Sequence, residues 1–173
     1  MTAHAHTRPV APAMLSNRVL ASTATGLLVA PPVALFAPDA RVVLLNFALT
    51  VAAACDVRTR RIPNWLTAGA GAFALTASPS PLTALGGALV ALLAGTLLVL
   101  AARDAYGVGD VKAMAVAGAT VGLASVPLFL CWMAIAGGVW AASSALRTRS
   151  LRGQTVAYAP AIAAGCLLTL LLR

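Results

Sequence analysis

Long apolar runs separated by short polar breaks make up the chain from about residue 19 onwards. These runs predict seven α-helices, at about 19–37, 41–57, 64–77, 82–102, 110–124, 127–146 and 155–172. The Ser-Pro-Ser-Pro turn at 78–81 and a polar loop at 147–153 separate some of them. No run shows the alternation of apolar and polar residues that is typical of membrane barrel strands. The pattern therefore predicts an all-α transmembrane helix bundle.

The composition supports a membrane location. Hydrophobic residues form 61% of the 173-residue chain and charged residues only 9%, whereas about 25% of a typical soluble domain is charged. The predicted helices at 64–77 and 110–124 are shorter than the roughly 20 residues of a full span. Local thinning of the bilayer around a bundle would accommodate them.

Three segments follow from this pattern. Residues 1–17 form a polar tail, predicted to be disordered and cytoplasmic, which holds both histidines. Residues 18–40 contain an extra N-terminal transmembrane helix, and 41–173 form the main membrane domain. A signal peptide is the alternative for the first helix, because basic residues precede an apolar stretch that ends in Leu35-Phe36-Ala37. The length of that stretch favours a retained helix.

Basic residues set the predicted orientation. With the N-terminus inside, the outside segments hold only Arg41 and Arg173. The inside segments then hold Arg8, Arg18, Arg58, Arg60, Arg61, Arg103, Lys112, Arg147, Arg149 and Arg152. Because Lys and Arg accumulate on the cytoplasmic side of membrane helices, the N-terminus is predicted to be cytoplasmic. The same rule explains the net charge of +8 without nucleic acid as a partner.

Aspartates are the strongest candidates for chemistry. The chain has four acidic residues, Asp39, Asp56, Asp104 and Asp110. A carboxylate at the edge of a membrane helix is costly, so it is a functional candidate by default. Asp56 ends one apolar run and Asp110 begins another, with two predicted crossings between them. Both therefore lie at the same face, where they could share a proton, while Asp39 falls at the other face and Asp104 is a weaker candidate.

The residues near the two aspartates can also be explained by local structure alone, without a catalytic role. Gly107 and Gly109 allow backbone angles that other residues avoid, and Asp110 then falls at a helix N-terminus, where capping alone would explain it. Pro63 and Asn64 predict an extended turn with Asn64 as a helix cap. The nearby arginines could serve only to contact lipid headgroups. The three cysteines are far apart in sequence, so no metal site is predicted.

Together, the two motifs that contain Asp56 and Asp110 are more specific than either motif alone. Asp56-Val-Arg-Thr-Arg-Arg-Ile-Pro-Asn64 followed by Tyr106-Gly-Val-Gly-Asp-Val-Lys112 resembles the type IV prepilin peptidases, membrane aspartic proteases with a Gly-x-Gly-Asp signature. Tyr158-Ala-Pro160 is similar to the segment before the last helix of that family. The resemblance covers about residues 41–172.

The resemblance implies a function. Asp56 and Asp110 match the two catalytic aspartates, which face the cytoplasm of the bacterial plasma membrane. Five neighbours are candidates for binding substrate or shaping the loops: Gly107, Gly109, Lys112, Pro63 and Asn64. The implied partners are membrane lipids and a type IV pilin-like precursor, cut just before its apolar helix, and no cofactor is implied. Paired cysteines and a polar insert are absent from the sequence, as in the short Tad or Flp-type members that do not methylate.

Other functions stay open at this point. Presenilin-type proteases carry Tyr before the first aspartate, whereas Cys55 precedes Asp56 here. A small transporter could also use paired carboxylates, although no inverted repeat surrounds them. A non-catalytic subunit of a pilus or secretion complex could retain the motif without activity. The sequence does not indicate the oligomeric state.

The predicted orientation can be tested with reporter fusions. Fusions after Arg61 and after Arg149 should both report a cytoplasmic location, because both positions follow basic clusters on the inside. Enzymatic reporters that are active on only one side of the membrane provide the measurement. A periplasmic signal at either position would show that the orientation is wrong.

Overall fold

The structure of the chain, a computed structural model, describes residues 39–59, 61–102, 107–148 and 158–172. These residues form α1 (Ala40–Thr59), α2 (Asn64–Thr76), α3 (Pro81–Ala102), α4 (Val108–Val121), a 3-10 turn (Leu123–Ser125), α5 (Val126–Thr148) and α6 (Ala159–Leu171). There is no strand among the described residues, so the prediction of an all-α bundle is confirmed. The structure has six described helices rather than seven. The predicted tail and helix within 1–38 lie outside the described residues, as does Asp104.

Three segments are long and apolar enough to cross a membrane, namely Ala40–Thr59, Pro81–Ala101 and Leu123–Ser143. The helix Ala159–Leu171 is apolar but shorter. The helices α2 and α4 have 13 and 14 residues, which corresponds to about 20 Å of helix each. The protein is therefore a membrane helix bundle in which long and short helices alternate along the chain from α1 to α4.

The helix α4 lies at the centre of the bundle and contacts each of the other five described helices. Its buried residues are Asp110, Ala113, Met114, Val116, Ala117, Gly118, Ala119 and Val121. The surrounding core comes from Leu45 and Leu49 in α1, Phe129 and Met133 in α5, and Ile162 and Cys166 in α6. Since α4 is enclosed by its neighbours, its position determines where Asp110 lies.

The backbones of α3 and α4 meet at two glycines. An ideal Cβ added to Gly118 would lie 2.3 Å from the carbonyl oxygen of Gly87 and 2.5 Å from the Cβ of Ala91. An ideal Cβ added to Gly87 would lie 2.2 Å from the carbonyl oxygen of Gly118. All three distances are shorter than real Cβ contacts, so a side chain at either position would force the backbones to shift. Small residues permit such close approach between membrane helices, where packing drives association.

The far end of α4 is fixed by Gly122. Its φ of 78° lies in the region that favours glycine, and its backbone N–H donates to the carbonyl of Gly118 at 3.0 Å. The chain then enters the 3-10 turn and α5. At the same end of the bundle, the Arg41 side chain donates to the carbonyl of Ala77 at 2.9 Å and closes the C-terminus of α2. The ion pair with Arg41 holds the pKa of Asp39 below its usual value.

The contact between α3 and α4 can be tested by adding one methyl group. We expect Gly118→Ala to lower the free energy of unfolding by about 1–3 kcal/mol, because overpacking forces the two helices apart. Gly138→Ala is the control, since an ideal Cβ there has no atom within 4 Å. Thermal unfolding of both purified variants in detergent gives the measurement. Unfolding of Gly118→Ala at the wild-type temperature would contradict the tight contact.

Candidate functional site

The last turn of α1 and the start of α4 meet at one end of the bundle, beside the start of α2. A cavity of about 320 Å³ lies between them. It is lined by Asp56, Arg61, Ile62, Asn64, Gly107, Val108, Gly109, Asp110 and Lys112. We call it the aspartate cavity. It brings together residues from two sequence segments, 56–64 and 107–112, that are separated by the whole of α2 and α3.

Asp56 and Asp110 are both nearly buried, at 9% and 8% exposure. Asp110 lies in the first turn of α4, where the helix dipole favours a negative charge, and its Oδ2 accepts a hydrogen bond of 3.1 Å from the backbone N–H of Gly107. Asp56 lies in the last turn of α1, where the dipole disfavours a negative charge. Both carboxyl groups line the aspartate cavity, so the two aspartates lie near each other.

A side-chain hydrogen bond joins the two segments. The Nζ of Lys112 donates to the Oδ1 of Asn64 at 2.9 Å, which ties the start of α2 to the start of α4. The prediction that Asn64 caps α2 is wrong, because Pro63 occupies the cap position and no side chain caps the helix. Pro63 has φ −62° and ψ 128°, so the predicted extended turn is present, although Pro63 does not line the cavity.

The model of the type IV leader peptidase family matches residues 43–142. The chain belongs to this family. The match includes both aspartates and covers more than half of the chain. No curated protein and no solved structure matches the chain. Membership of the type IV leader peptidase family makes the protein a membrane protease that acts on a protein substrate.

The resemblance expected at the C-terminal end lies beyond the matched residues. Tyr158 occupies the N-cap position of α6, and Pro160 follows within its first turn. An ideal Cβ on Gly137 in α5 would lie 2.7 Å from the Tyr158 hydroxyl, so the tyrosine ring packs directly on the glycine. The similarity of Tyr158-Ala-Pro160 to this segment of the leader peptidase family stays a prediction, with a packing role visible in the structure.

The glycines of the leader peptidase motif do not have the backbone angles that the sequence predicts. Gly107 has φ −93° and ψ 155°, and Gly122 is the positive-φ glycine in the described part of the chain. The expectation of special angles at Gly107 and Gly109 is therefore wrong. Their effect is on space: an ideal Cβ on Gly107 would lie 3.7 Å from Oδ2 of Asp110, and one on Gly109 would lie 3.4 Å from Cβ of Ile62.

The start of α4 also differs in detail from the prediction. The helix begins at Val108, so Asp110 is its third residue rather than its first. The carboxylate does reach back to the N–H of the cap residue, which is one half of a capping box. Gly107 has no side chain to complete the other half. Capping thus accounts for one oxygen of Asp110, whereas its position in the cavity beside Asp56 needs another explanation.

Sequence reasoning did not single out Ile62 or Val108, and it considered Arg61 only as a lipid anchor. All three line the aspartate cavity. The hydroxyl of Thr59 lies 2.8 Å from the carbonyl oxygen of Cys55 and 3.1 Å from that of Arg61, which folds the chain back after α1. The available signal was proximity in sequence to Asp56 for Arg61 and Ile62, and to Asp110 for Val108. Among the described residues, no group of three or more His, Cys, Asp and Glu could hold a metal ion.

The space around Gly109 yields a prediction that separates activity from stability. We expect Gly109→Ala to slow peptide cleavage on the order of 100-fold, because the methyl group occupies cavity space that the substrate backbone must approach, and a misplacement of the substrate by about 1 Å costs about that factor. The melting temperature should stay constant or rise, since the methyl makes only ordinary contact with Ile62 and Ala favours a helix by about 1 kcal/mol over Gly.

Gly69→Ala is the matched control, because Gly69 also lies in a helix and an ideal Cβ there has no atom within 4 Å. It lies outside the aspartate cavity and should keep full activity. Melting temperatures and cleavage rates of the two purified variants give the comparison. A destabilised Gly109→Ala variant whose folded fraction cleaves at the wild-type rate would rule out a role for this space in activity.

Proposed function

We propose that the protein is an aspartic endopeptidase that removes the short basic leader from type IV pilin-like precursors of the Flp type. The observation that carries this proposal is that Asp56 and Asp110, from different helices, line one cavity at one end of the bundle. Family membership supports the protease class. The two carboxyl groups supply the means of cleavage.

The chemistry follows from the closeness of the two carboxyl groups. Two adjacent carboxylates resist ionising together, so one keeps a proton. The ionised member removes a proton from a water molecule that attacks the scissile carbonyl carbon. The protonated member donates a hydrogen bond to the carbonyl oxygen and stabilises its developing negative charge. A proton then passes to the leaving amine as the C–N bond breaks.

The proton belongs to the pair rather than to one residue, because strongly interacting groups titrate as a unit. Water is the nucleophile in this mechanism, so it forms no covalent intermediate with the protein. The N–H of Gly107 holds one oxygen of Asp110, which orients that carboxyl group. Burial of both groups limits the competition from bulk water and strengthens their interaction.

The cellular location and the lack of N-methylation are further parts of the proposal. The excess of basic residues on one side supports a cytoplasmic position for the aspartate end in the bacterial inner membrane, with the N-terminus on the same side. We propose cleavage without N-methylation. At the aspartate end, the connections at 60–63 and 103–107 have four and five residues and the connection at 149–158 has ten, which leaves little chain to form a pocket for a methyl donor.

The proposal is tested by removing each carboxylate separately. Asp56→Asn and Asp110→Asn should each reduce cleavage of a purified precursor below detection, because an amide cannot act as a base. In Asp110→Asn the side-chain amide oxygen could still accept the N–H of Gly107, so folding should be retained. The measurement is the gel shift of the precursor on cleavage. Mass spectrometry of the product of the wild-type protein should show a free, unmethylated N-terminus.

Asp39→Asn is the matched control for these two variants. Asp39 is paired with Arg41 at the opposite end of α1, about 25 Å from Asp56 along the helix, and its replacement should leave the cleavage rate near the wild-type value. Substantial cleavage by either Asp56→Asn or Asp110→Asn would contradict the aspartic mechanism. A methylated product made by the purified protein with S-adenosylmethionine would contradict the proposal of cleavage without N-methylation.

A further inference from the structure

A second cavity of about 460 Å³ runs between α2, α3 and α4. Its lining comes from Asn64, Thr67, Ala68, Gly71 and Leu75 in α2, Ala88 and Leu92 in α3, and Lys112, Ala115, Val116 and Ala119 in α4. We call it the apolar groove. Between Asn64 and Leu75 it extends along about 16 Å of helix, and its volume falls in the range of sites that hold ligands.

The apolar groove exists because its three walls carry small residues. Ala68 and Gly71 face it from α2, Ala88 from α3, and Ala115 and Ala119 from α4. An ideal Cβ on Gly71 would contact only the Val116 side chain, at 3.7 Å, so the groove is open at this point. Small residues of this kind allow another membrane segment to approach closely and pack.

The apolar groove and the aspartate cavity share Asn64 and Lys112 in their linings. The groove therefore adjoins the site of the two carboxylates at this end, with the hydrogen-bonded pair of Lys112 and Asn64 at the boundary, and its polar residues are concentrated there. The hydroxyl of Thr67 donates to the carbonyl of Asn64 at 3.2 Å, so it is satisfied within α2. Beyond this point, the lining is apolar throughout.

We propose that the apolar groove binds the apolar segment of the substrate that directly follows the scissile bond. This inference rests on the proposed function. A chain held at Asp56 and Asp110 that continues past Asn64 and Lys112 meets only apolar walls, which fit the apolar segment that follows the cleavage site of the proposed substrate. The groove thus selects substrates by the first turns of their membrane segment, while the aspartates cut at its polar end.

The test uses two glycines of α2 that differ in where they face. Gly71→Leu fills the apolar groove, whereas Gly69→Leu fills a separate cavity on the side of α2 that faces Leu44 and Ala48 of α1. Both changes remove a helical glycine and add the same side chain. We expect Gly71→Leu to raise KM for the full precursor about tenfold or more, as lost apolar contacts in a pocket do, with kcat little changed. Gly69→Leu should keep the wild-type KM.

A truncated peptide that ends shortly after the scissile bond supplies the second readout. Gly71→Leu should cleave it as the wild type does, because it lacks the segment that occupies the groove. An unchanged KM for the full precursor, as expected if only lipid fills the groove, would overturn the inference. An equal rise of KM in Gly69→Leu and Gly71→Leu would also overturn it. So would slower cleavage of the truncated peptide by Gly71→Leu than by the wild type. Failure of the unaltered protein to cleave would instead overturn the proposed function, and this inference with it.

Photo-crosslinking tests occupancy of the apolar groove without the Gly71→Leu variant, and therefore also if that variant does not fold. A photoreactive residue at Ala68, in the groove, should cross-link to the apolar segment of the precursor in an Asp110→Asn background. The same residue at exposed Ala72, outside the groove lining, should not. Cross-links at both positions or at Ala72 alone would exclude specific occupancy of the apolar groove.

Discussion

The backbone contact between Gly87 and Gly118 holds the central helix of the bundle in place. Because neither position can accept a Cβ, α3 and α4 have one close-packed arrangement rather than a range of them. That arrangement fixes Asp110 at one end of α4 and the groove-facing residues Ala115 and Ala119 along its length. A shift of α4 by one turn, about 5.4 Å, would remove Asp110 from the aspartate cavity. The site therefore depends on a contact about two turns away from it.

The aspartate cavity holds ionisable groups of both signs. Two carboxyl groups and the cations of Arg61 and Lys112 line the same space, and the described part of the chain places its other carboxylate, Asp39, with Arg41 at the opposite end. Burying a charge without a partner is costly. The Lys112 ammonium is oriented by Asn64, so one cation is held at the boundary between the aspartate cavity and the apolar groove. This arrangement keeps polar groups at one end of an otherwise apolar bundle.

The sequence was sufficient to predict the six described helices and the meeting of the two aspartates, whereas the predicted helix at 19–37 stays a prediction. Apolar runs of membrane length predict helices strongly, and an even number of crossings between Asp56 and Asp110 requires them to lie at the same end. The partner of Asn64 was not predictable, because Lys112 is 48 residues away and the sequence does not show which helix faces meet. The apolar groove was missed for the same reason, since its small residues are distributed over three helices.

The difference in helix length explains why a cavity forms at the aspartate end. The helices α1 and α3 have 20 and 22 residues, whereas α2 and α4 have 13 and 14. At the opposite end the four helices finish near one another, since Arg41, Ser80 and Gly122 line one cavity there. The longer helices must then extend beyond the shorter ones at the aspartate end, by roughly 10 Å.

The resulting recess has the last turn of α1, with Asp56, on its side and the first turn of α4, with Asp110, at its base. Water can reach such a recess from the polar end, while the apolar groove leads away from it between α2, α3 and α4. In the proposed function, a peptide bond at this boundary meets water and both carboxyl groups, while the chain that follows it is surrounded by apolar side chains. Hydrolysis next to a membrane segment thus becomes compatible with a bundle that contains almost no acidic residues.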